Sequence, residues 1–260
     1  MGNRRMHYLK FGQGSRAMVT LHGFGDRAAL FLPLAESLGA TYTVYALDLP
    51  YHGATVWPDE RFTLTDLEAV VEQLATQESF SCLSLLGYSF GGRLALHLVT
   101  RLSNRLDRLV LVAPDGLETK WMFNPVLLPV WFRKRLYKLL QRPETMQKLL
   151  ERLHRLGLLS RFSRDFALNH IKTAERRDRI FRTWWSLDFF ALPPETLKSA
   201  IARAGIRVDM IYGTRDEVIP VSGGWRLKEG LNHVNIHLEE EGHLLIQPSL
   251  NQLLRVILRT

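Results

Sequence analysis

The sequence predicts an α/β protein: a mostly parallel sheet with helices on both faces, interrupted by a helical insertion. Three observations carry this. Short, continuously apolar runs alternate with helical-period stretches through residues 1–114, as buried parallel strands and their crossover helices require. From residue 115 to 195 only helical periodicity is found. Alternation then resumes at Ile206, so segments 1–114 and 196–260 are expected to build one core and 115–195 a helical cap.

The elements follow in order. The N-terminal stretch leads into an alternating, strand-like run, and Met18–Leu21 is a short apolar strand ending in His22-Gly23-Phe24-Gly25. A helical stretch spans Ala28–Leu38, and a strand, Tyr42–Leu47, runs into Asp48-Leu49-Pro50. Thr65–Ala75 reads as a helix with Thr65 and Glu68 spaced as a capping box. Leu83–Leu86 is a strand apolar on both faces, Phe90–Leu102 a helix, and Leu106–Ala113 a second buried strand closed by Pro114. In the insertion, helical spacing covers Val130–Leu140, Pro143–Leu159, Ser163–Lys172 and Arg177–Phe190, with Pro143 suited to a first helical turn. Strands Ile206–Tyr212 and His233–Leu238 and a helix Ser249–Leu258 complete the chain.

Composition narrows the class further. With 46% hydrophobic and 23% charged residues, the chain is neither disordered nor membrane-embedded. No apolar run is long enough to span a bilayer, and the first residues lack the apolar core of a signal peptide. A cytoplasmic location is expected. Cys82, the one cysteine, has no partner for an internal disulfide and is expected to be a small buried hydrophobe. The formal net charge of +8 gathers between Lys120 and Arg182, in runs such as Arg133-Lys134-Arg135. That surplus is expected to be a solvated helical face, and with no nucleic-acid motif beside it no nucleic-acid partner is expected. Contact of the aromatic, basic stretch Trp121–Leu140 with a membrane surface is not favoured; its apolar residues are expected to pack over the sheet and roof a pocket.

The chemistry-bearing residues sit where strands end. Gly87-Tyr88-Ser89-Phe90-Gly91 lies between a buried strand and a helix, the setting in which Gly-x-Ser-x-Gly forms a tight turn and raises its serine above the sheet edge. A serine hydroxyl needs a base and a group that orients the base. Among nine histidines, His243 stands in a turn between the last strand and the last helix, whereas the others lie in helices, strands or earlier loops. Asp216, in Gly213-Thr214-Arg215-Asp216, is the favoured acid, with Glu217 and Asp115 as rivals. Oxyanion donors are expected from the backbone N–H groups of Phe90 and Phe24. His22 is expected to support its own loop, as is Asp48.

Together these residues resemble the α/β-hydrolase superfamily over essentially the whole chain. The resemblance implies an eight-stranded sheet, no metal and no organic cofactor, and a substrate site between sheet and cap. Tyr88, Arg93, Trp121 and Trp185 are the candidate substrate contacts. The favoured activity is cleavage of a carboxylic ester or thioester through an acyl-enzyme, the partner being a small ester, thioester or carboxylate. A narrower stretch, Gly87–Leu96 with Leu47-Asp48-Leu49-Pro50, is similar to 2-succinyl-6-hydroxy-2,4-cyclohexadiene-1-carboxylate synthase. That resemblance implies a lyase expelling pyruvate with the same triad, Arg93 binding the substrate carboxylate. Tyr51 departs from it, standing where that family carries glycine. A small-molecule receptor without turnover is the remaining alternative.

Overall fold

The computed structural model describes residues 4–59, 61–117, 129–186 and 192–259; the side chains at 130, 133, 140 and 184–186 lie outside that description. The chain divides into two compact units, Met1–Glu118 with Phe189–Thr260, and Thr119–Asp188.

The first unit is built on strands β1 (Tyr8–Phe11), β2 (Arg16–Leu21), β3 (Tyr42–Leu47), β4 (Leu83–Tyr88), β5 (Leu106–Val112), β6 (Arg207–Gly213) and β7 (Val234–Glu239). They form one sheet in the order β1-β3-β2-β4-β5-β6-β7, in which only β1 is antiparallel to its neighbour. Among the described residues the sheet therefore has seven strands, where eight were expected. Ahead of β1 the chain makes a single antiparallel bridge, Arg5 with Val56, and His7 donates its N–H to Thr55 Oγ1. These ties hold the segment to a loop, and among the described residues no further edge strand forms.

Helices cover both faces. A 3-10 segment, Ala28–Leu34, leads into the one-turn α1 (Ala35–Leu38), in place of the single helix expected. Both pack with α10 (Leu250–Arg259) over the side of the sheet that carries Met18, Val44, Leu86, Val110 and Val112. In α10 the buried residues Leu250, Leu254, Ile257 and Leu258 recur at helical spacing. Each such side chain removed from water contributes roughly 1.5–3 kcal/mol. On the other face α3 (Phe90–Leu102) lies against β4 and β5, with α2 (Leu64–Gln77) and α8 (Pro194–Ala204) beside it, and α9 (Ser222–Lys228) precedes β7. Helix α2 starts earlier than expected because the capping box is Thr63 with Asp66, not Thr65 with Glu68. Thr63 Oγ1 accepts from the Asp66 N–H at 3.1 Å, and Asp66 Oδ2 accepts from the Thr63 N–H at 2.8 Å. Cys82 is exposed rather than buried, since it precedes the first paired residue of β4.

The second unit holds α4 (Val130–Leu140), α5 (Pro143–Arg155), α6 (Arg161–Ile171) and α7 (Ala174–Ser186). Helix α5 begins at Pro143 as expected but stops four residues early. Gly157 takes φ +71°, and Leu158 N–H reaches back to the Leu153 carbonyl at 3.0 Å, a left-handed stop that turns the chain toward α6. Ser160 caps α6, accepting from Ser163 N–H at 3.1 Å, which moves its start ahead of Ser163. Thr173 Oγ1 accepts from Arg176 N–H at 3.2 Å, and α7 likewise begins before Arg177. Trp131, expected to pack inward, is 61% exposed. Among the described residues no helix is long and apolar enough to cross a membrane.

Candidate functional site

The order of the sheet reverses between β2 and β4: the chain leaves β2 toward β3 on one side and returns to β4 on the other. At such a switch point the loops beyond the carboxyl ends of the strands part and leave a crevice. The loops that begin at His22, Ser89 and Asp115 follow β2, β4 and β5, and those carrying Asp216 and His243 follow β6 and β7. Every candidate of the sequence except the two tryptophans is thus carried at one edge of the sheet.

Ser89 has φ 49° and ψ −114°, outside the regions that a side chain with a Cβ normally occupies. Three bonds impose it. Ser89 N–H donates to the Val112 carbonyl at 2.9 Å, and the Ser89 carbonyl accepts from Asp115 N–H at 3.0 Å and Arg93 N–H at 3.2 Å. Holding a residue in such a conformation costs roughly 1–3 kcal/mol, sustained because its surroundings over-determine it. The flanking glycines make the turn possible. A Cβ on Gly87 would stand 2.6 Å from the Gly91 carbonyl oxygen, and one on Gly91 would overlap the carbonyl of Leu21 in β2.

His243 joins the serine to Asp216. Its Nε2 lies 3.1 Å from Ser89 Oγ and its Nδ1 2.8 Å from Asp216 Oδ2. An ionised carboxylate only accepts, so Nδ1 carries the proton and Nε2 is left to accept from the serine hydroxyl. The other oxygen of Asp216 accepts from Val218 N–H at 2.7 Å and Ile219 N–H at 2.9 Å, which fixes the carboxylate before the imidazole meets it. Asp115 stands elsewhere: its Oδ2 accepts from Arg93 Nη2 at 2.6 Å and its Oδ1 from Gly116 N–H at 2.6 Å. Arg93 is therefore engaged by a neighbouring carboxylate, with its side chain 11% exposed. Tyr88, a candidate substrate contact, is buried and donates its hydroxyl to the His243 carbonyl at 3.0 Å. Burial, and then the charges of Asp26 and Asp216, push its phenol up, so it remains a donor. Trp121 lies outside the described residues, as does the side chain of Trp185.

The loop with Phe24 is tied down by two histidines. His22 Nδ1 donates to the Gly23 carbonyl at 2.7 Å and its Nε2 accepts from Leu49 N–H at 3.0 Å. His52 Nδ1 donates to the Pro50 carbonyl at 2.8 Å and its Nε2 accepts from Gly25 N–H at 3.1 Å. Each ring has one donor and one acceptor in use, so both are neutral and clamp loop 22–26 to loop 48–53. Asp48 fastens the same pair, accepting from Ala28 N–H at 2.6 Å and Ala54 N–H at 2.8 Å. Burial alone would raise its pKa, but these amides and His7 outweigh that and hold the carboxyl below its usual range. Tyr51 takes φ 67°, the left-handed backbone that glycine adopts without strain, and its hydroxyl anchors to the Asp59 carbonyl at 3.0 Å.

Asp26 escaped the reading of the sequence, although it directly follows His22-Gly23-Phe24-Gly25. A Cβ on Gly23 would meet both Asp26 Oδ2 and the Tyr88 ring at 2.9 Å, which seats this carboxyl beside the aromatic ring that lies tilted against His243, their centroids 5.5 Å apart. Burial pushes its pKa up to about 6, against a smaller lowering by His243. The folded value exceeds the unfolded one, so the associated stability is present at low pH and is lost as pH rises from about 4 to 6. The loss is at most about 3 kcal/mol. Asp26→Asn is expected to melt several degrees above the wild type at pH 8 and together with it at about pH 3, as read by thermal denaturation; equal melting at pH 8 would remove Asp26 as a buried charge.

Among the described residues no group of three or more His, Cys, Asp or Glu side chains is arranged to hold a metal ion. A cavity of about 370 Å³ lies away from Ser89, between β1 and α2, and is lined by Arg4, Tyr8 and Trp57 among others.

A relative from Cupriavidus necator, the dihydrolipoyllysine-residue acetyltransferase component of an acetoin cleaving system, is 25% identical over 84% of this chain. The chain spans only 56% of that relative's length. The 2-hydroxy-6-oxononadienedioate/2-hydroxy-6-oxononatrienedioate hydrolase of Escherichia coli is 25% identical, over 92% of this chain and 84% of its own. A thermophilic esterase from Thermogutta terrifontis superposes with a TM-score of 0.72 at 15% identity, covering 98% of this chain and 93% of the other. The sequence pattern of the alpha/beta hydrolase fold matches residues 16–247, from the first residue of β2 to beyond His243. A match of that extent makes the chain a member of the α/β-hydrolase family.

Proposed function

We propose that the protein cleaves carboxylic esters or thioesters, with Ser89 as nucleophile, His243 as base and Asp216 as the acid that orients the base. The observation that carries this reading is the continuous row Ser89 Oγ–His243–Asp216, at 3.1 and 2.8 Å, with the serine held at a strained turn. Ser89 Oγ attacks the acyl carbon while His243 Nε2 takes its proton, and the imidazolium formed is balanced by Asp216. The oxyanion is received by the backbone N–H groups of Phe90, in the first turn of α3, and of Phe24 in the doubly clamped loop. His243 then gives its proton to the departing oxygen or sulfur. Water, deprotonated by the same nitrogen, releases the acyl group and restores the serine.

In this reading Tyr88, whose hydroxyl donates to the His243 carbonyl, props the histidine loop. The lone thiol suits a reducing cytoplasm. Pyruvate elimination would ask Arg93 to hold a substrate carboxylate, and its bond to Asp115 gives that reading no support. Hydrolysis of a carbon–carbon bond beside a carbonyl is the second reading, favoured by the E. coli hydrolase that aligns over 92% of the chain.

A panel of p-nitrophenyl esters and acyl thioesters of graded chain length, assayed beside a 2-hydroxy-6-oxo-dienoate, separates the two. Ester or thioester turnover is expected to dominate, with an optimum at medium chain length. Turnover of the dienoate alone would replace ester cleavage with carbon–carbon hydrolysis.

A further inference from the structure

We propose that α5 and the turn that ends it form a docking surface for an anionic lipid bilayer. The two units differ sharply in charge. Residues 119–188 carry sixteen Lys and Arg against six Asp and Glu, +10, whereas the remainder carries eighteen against twenty, −2. The whole positive surplus of the chain therefore belongs to the helical unit.

Within that unit the cations differ in their partners. On α6 and α7 several are paired locally, Arg164 with Asp165, Arg179 with Glu175 and Arg182 with Asp178, while Arg176 and Arg177 bond to the carbonyls of Asn169 and Ile171. On α5, Lys148, Arg152 and Arg155 are exposed, and among the described residues none has an ion-pair partner. At about 100° per residue these three share one stripe of the helix, and Leu149 and Leu156 occupy the stripe beside it. Met146, the buried residue, lies further round.

The leucines are the second half of the case. Leu149 is exposed, and Leu156 and Leu158 are 63% and 67% exposed on either side of Gly157, whose left-handed backbone forms the tip. Water-facing leucines at a turn, bordered by long cationic side chains, match the interface of a bilayer. The leucines enter the acyl boundary while the lysine and arginine stems reach back to lipid phosphates. Nucleic acid would engage the cations and leave the leucines without a partner, since aliphatic side chains neither stack on bases nor bind phosphate. No described helix is long and apolar enough to span a membrane, so the contact is one of lying on the surface.

Sedimentation of the protein with phosphatidylcholine vesicles, with and without about 30 mol % phosphatidylglycerol, tests this. The wild type and Ser89→Ala are both expected to bind the anionic vesicles and to leave the neutral ones, with weaker binding as salt rises. Binding without turnover keeps this result separate from the proposed hydrolysis. Lys148→Gln/Arg152→Gln/Arg155→Gln is expected to bind about a hundredfold more weakly. Leu156→Ser/Leu158→Ser, with charge unchanged, is expected to lose at least about tenfold. Circular dichroism and melting confirm that both variants fold. No binding of the wild type to anionic vesicles overturns the proposal, as does unchanged binding by either folded variant. Binding to a duplex oligonucleotide as tight as to vesicles, unaffected by the leucine changes, would make the surface one for nucleic acid.

Discussion

Ser89→Ala is expected to lower kcat on short p-nitrophenyl esters by about 10⁴-fold or more, and to abolish labelling by a fluorophosphonate, while the melting temperature stays close to that of the wild type. The two halves of this expectation have different origins. Activity falls because no other hydroxyl replaces Oγ at 3.1 Å from His243 Nε2. Stability is nearly unchanged because alanine also carries a Cβ, so the strain at φ 49° is neither relieved nor increased, and the three backbone bonds that impose it remain. Undiminished labelling of a folded Ser89→Ala would sink the nucleophile assignment. Ser89→Gly makes a useful companion: it should be equally inactive yet more stable, by roughly 1 kcal/mol, because glycine adopts positive φ without the Cβ penalty.

Asp216→Asn is expected to cost about 10⁴ in kcat with little change in KM, against less than about tenfold for Asp115→Asn, in the same ester assay. An asparagine keeps an oxygen for the amides of Val218 and Ile219, so the loop survives. Its NH₂ then faces His243 Nδ1 and favours the tautomer that turns an N–H, instead of a lone pair, toward Ser89. Asp115→Asn weakens the bond to Arg93 and touches neither the histidine nor the serine. A larger loss at Asp115 than at Asp216 would move the acid to the loop after β5.

The legible parts of this protein were those whose cause is local in sequence. Strands β4 and β5 are buried on both faces, and a run such as Leu83–Leu86 announces that without any knowledge of its neighbours. The elbow is legible because its turn needs Gly87 and Gly91 at fixed spacing, and Pro143 because it suits one helical position. What stayed hidden depends on distant partners. His52 reads as an ordinary loop residue until its ring is found holding Gly25, twenty-seven positions earlier. Asp26 reads as a polar turn residue until the fold half-buries it beside Tyr88. Cys82 misled because its apolar neighbours begin one residue later than they seem to when pairing is unknown. Trp131 misled for the opposite reason, as an aromatic in a basic helix says nothing by itself about which face is covered.

Cys82 has a practical corollary. It is the one cysteine of the chain, exposed, immediately ahead of the strand whose far end leads into Ser89. At about 3.3 Å per residue that strand separates the thiol from the elbow by roughly 20 Å. A nitroxide or fluorophore attached there by maleimide would sit on the opposite rim of the sheet, at a single site and without mutagenesis. It would form a fixed ruler from which paramagnetic broadening or energy transfer could report an inhibitor seated on the serine.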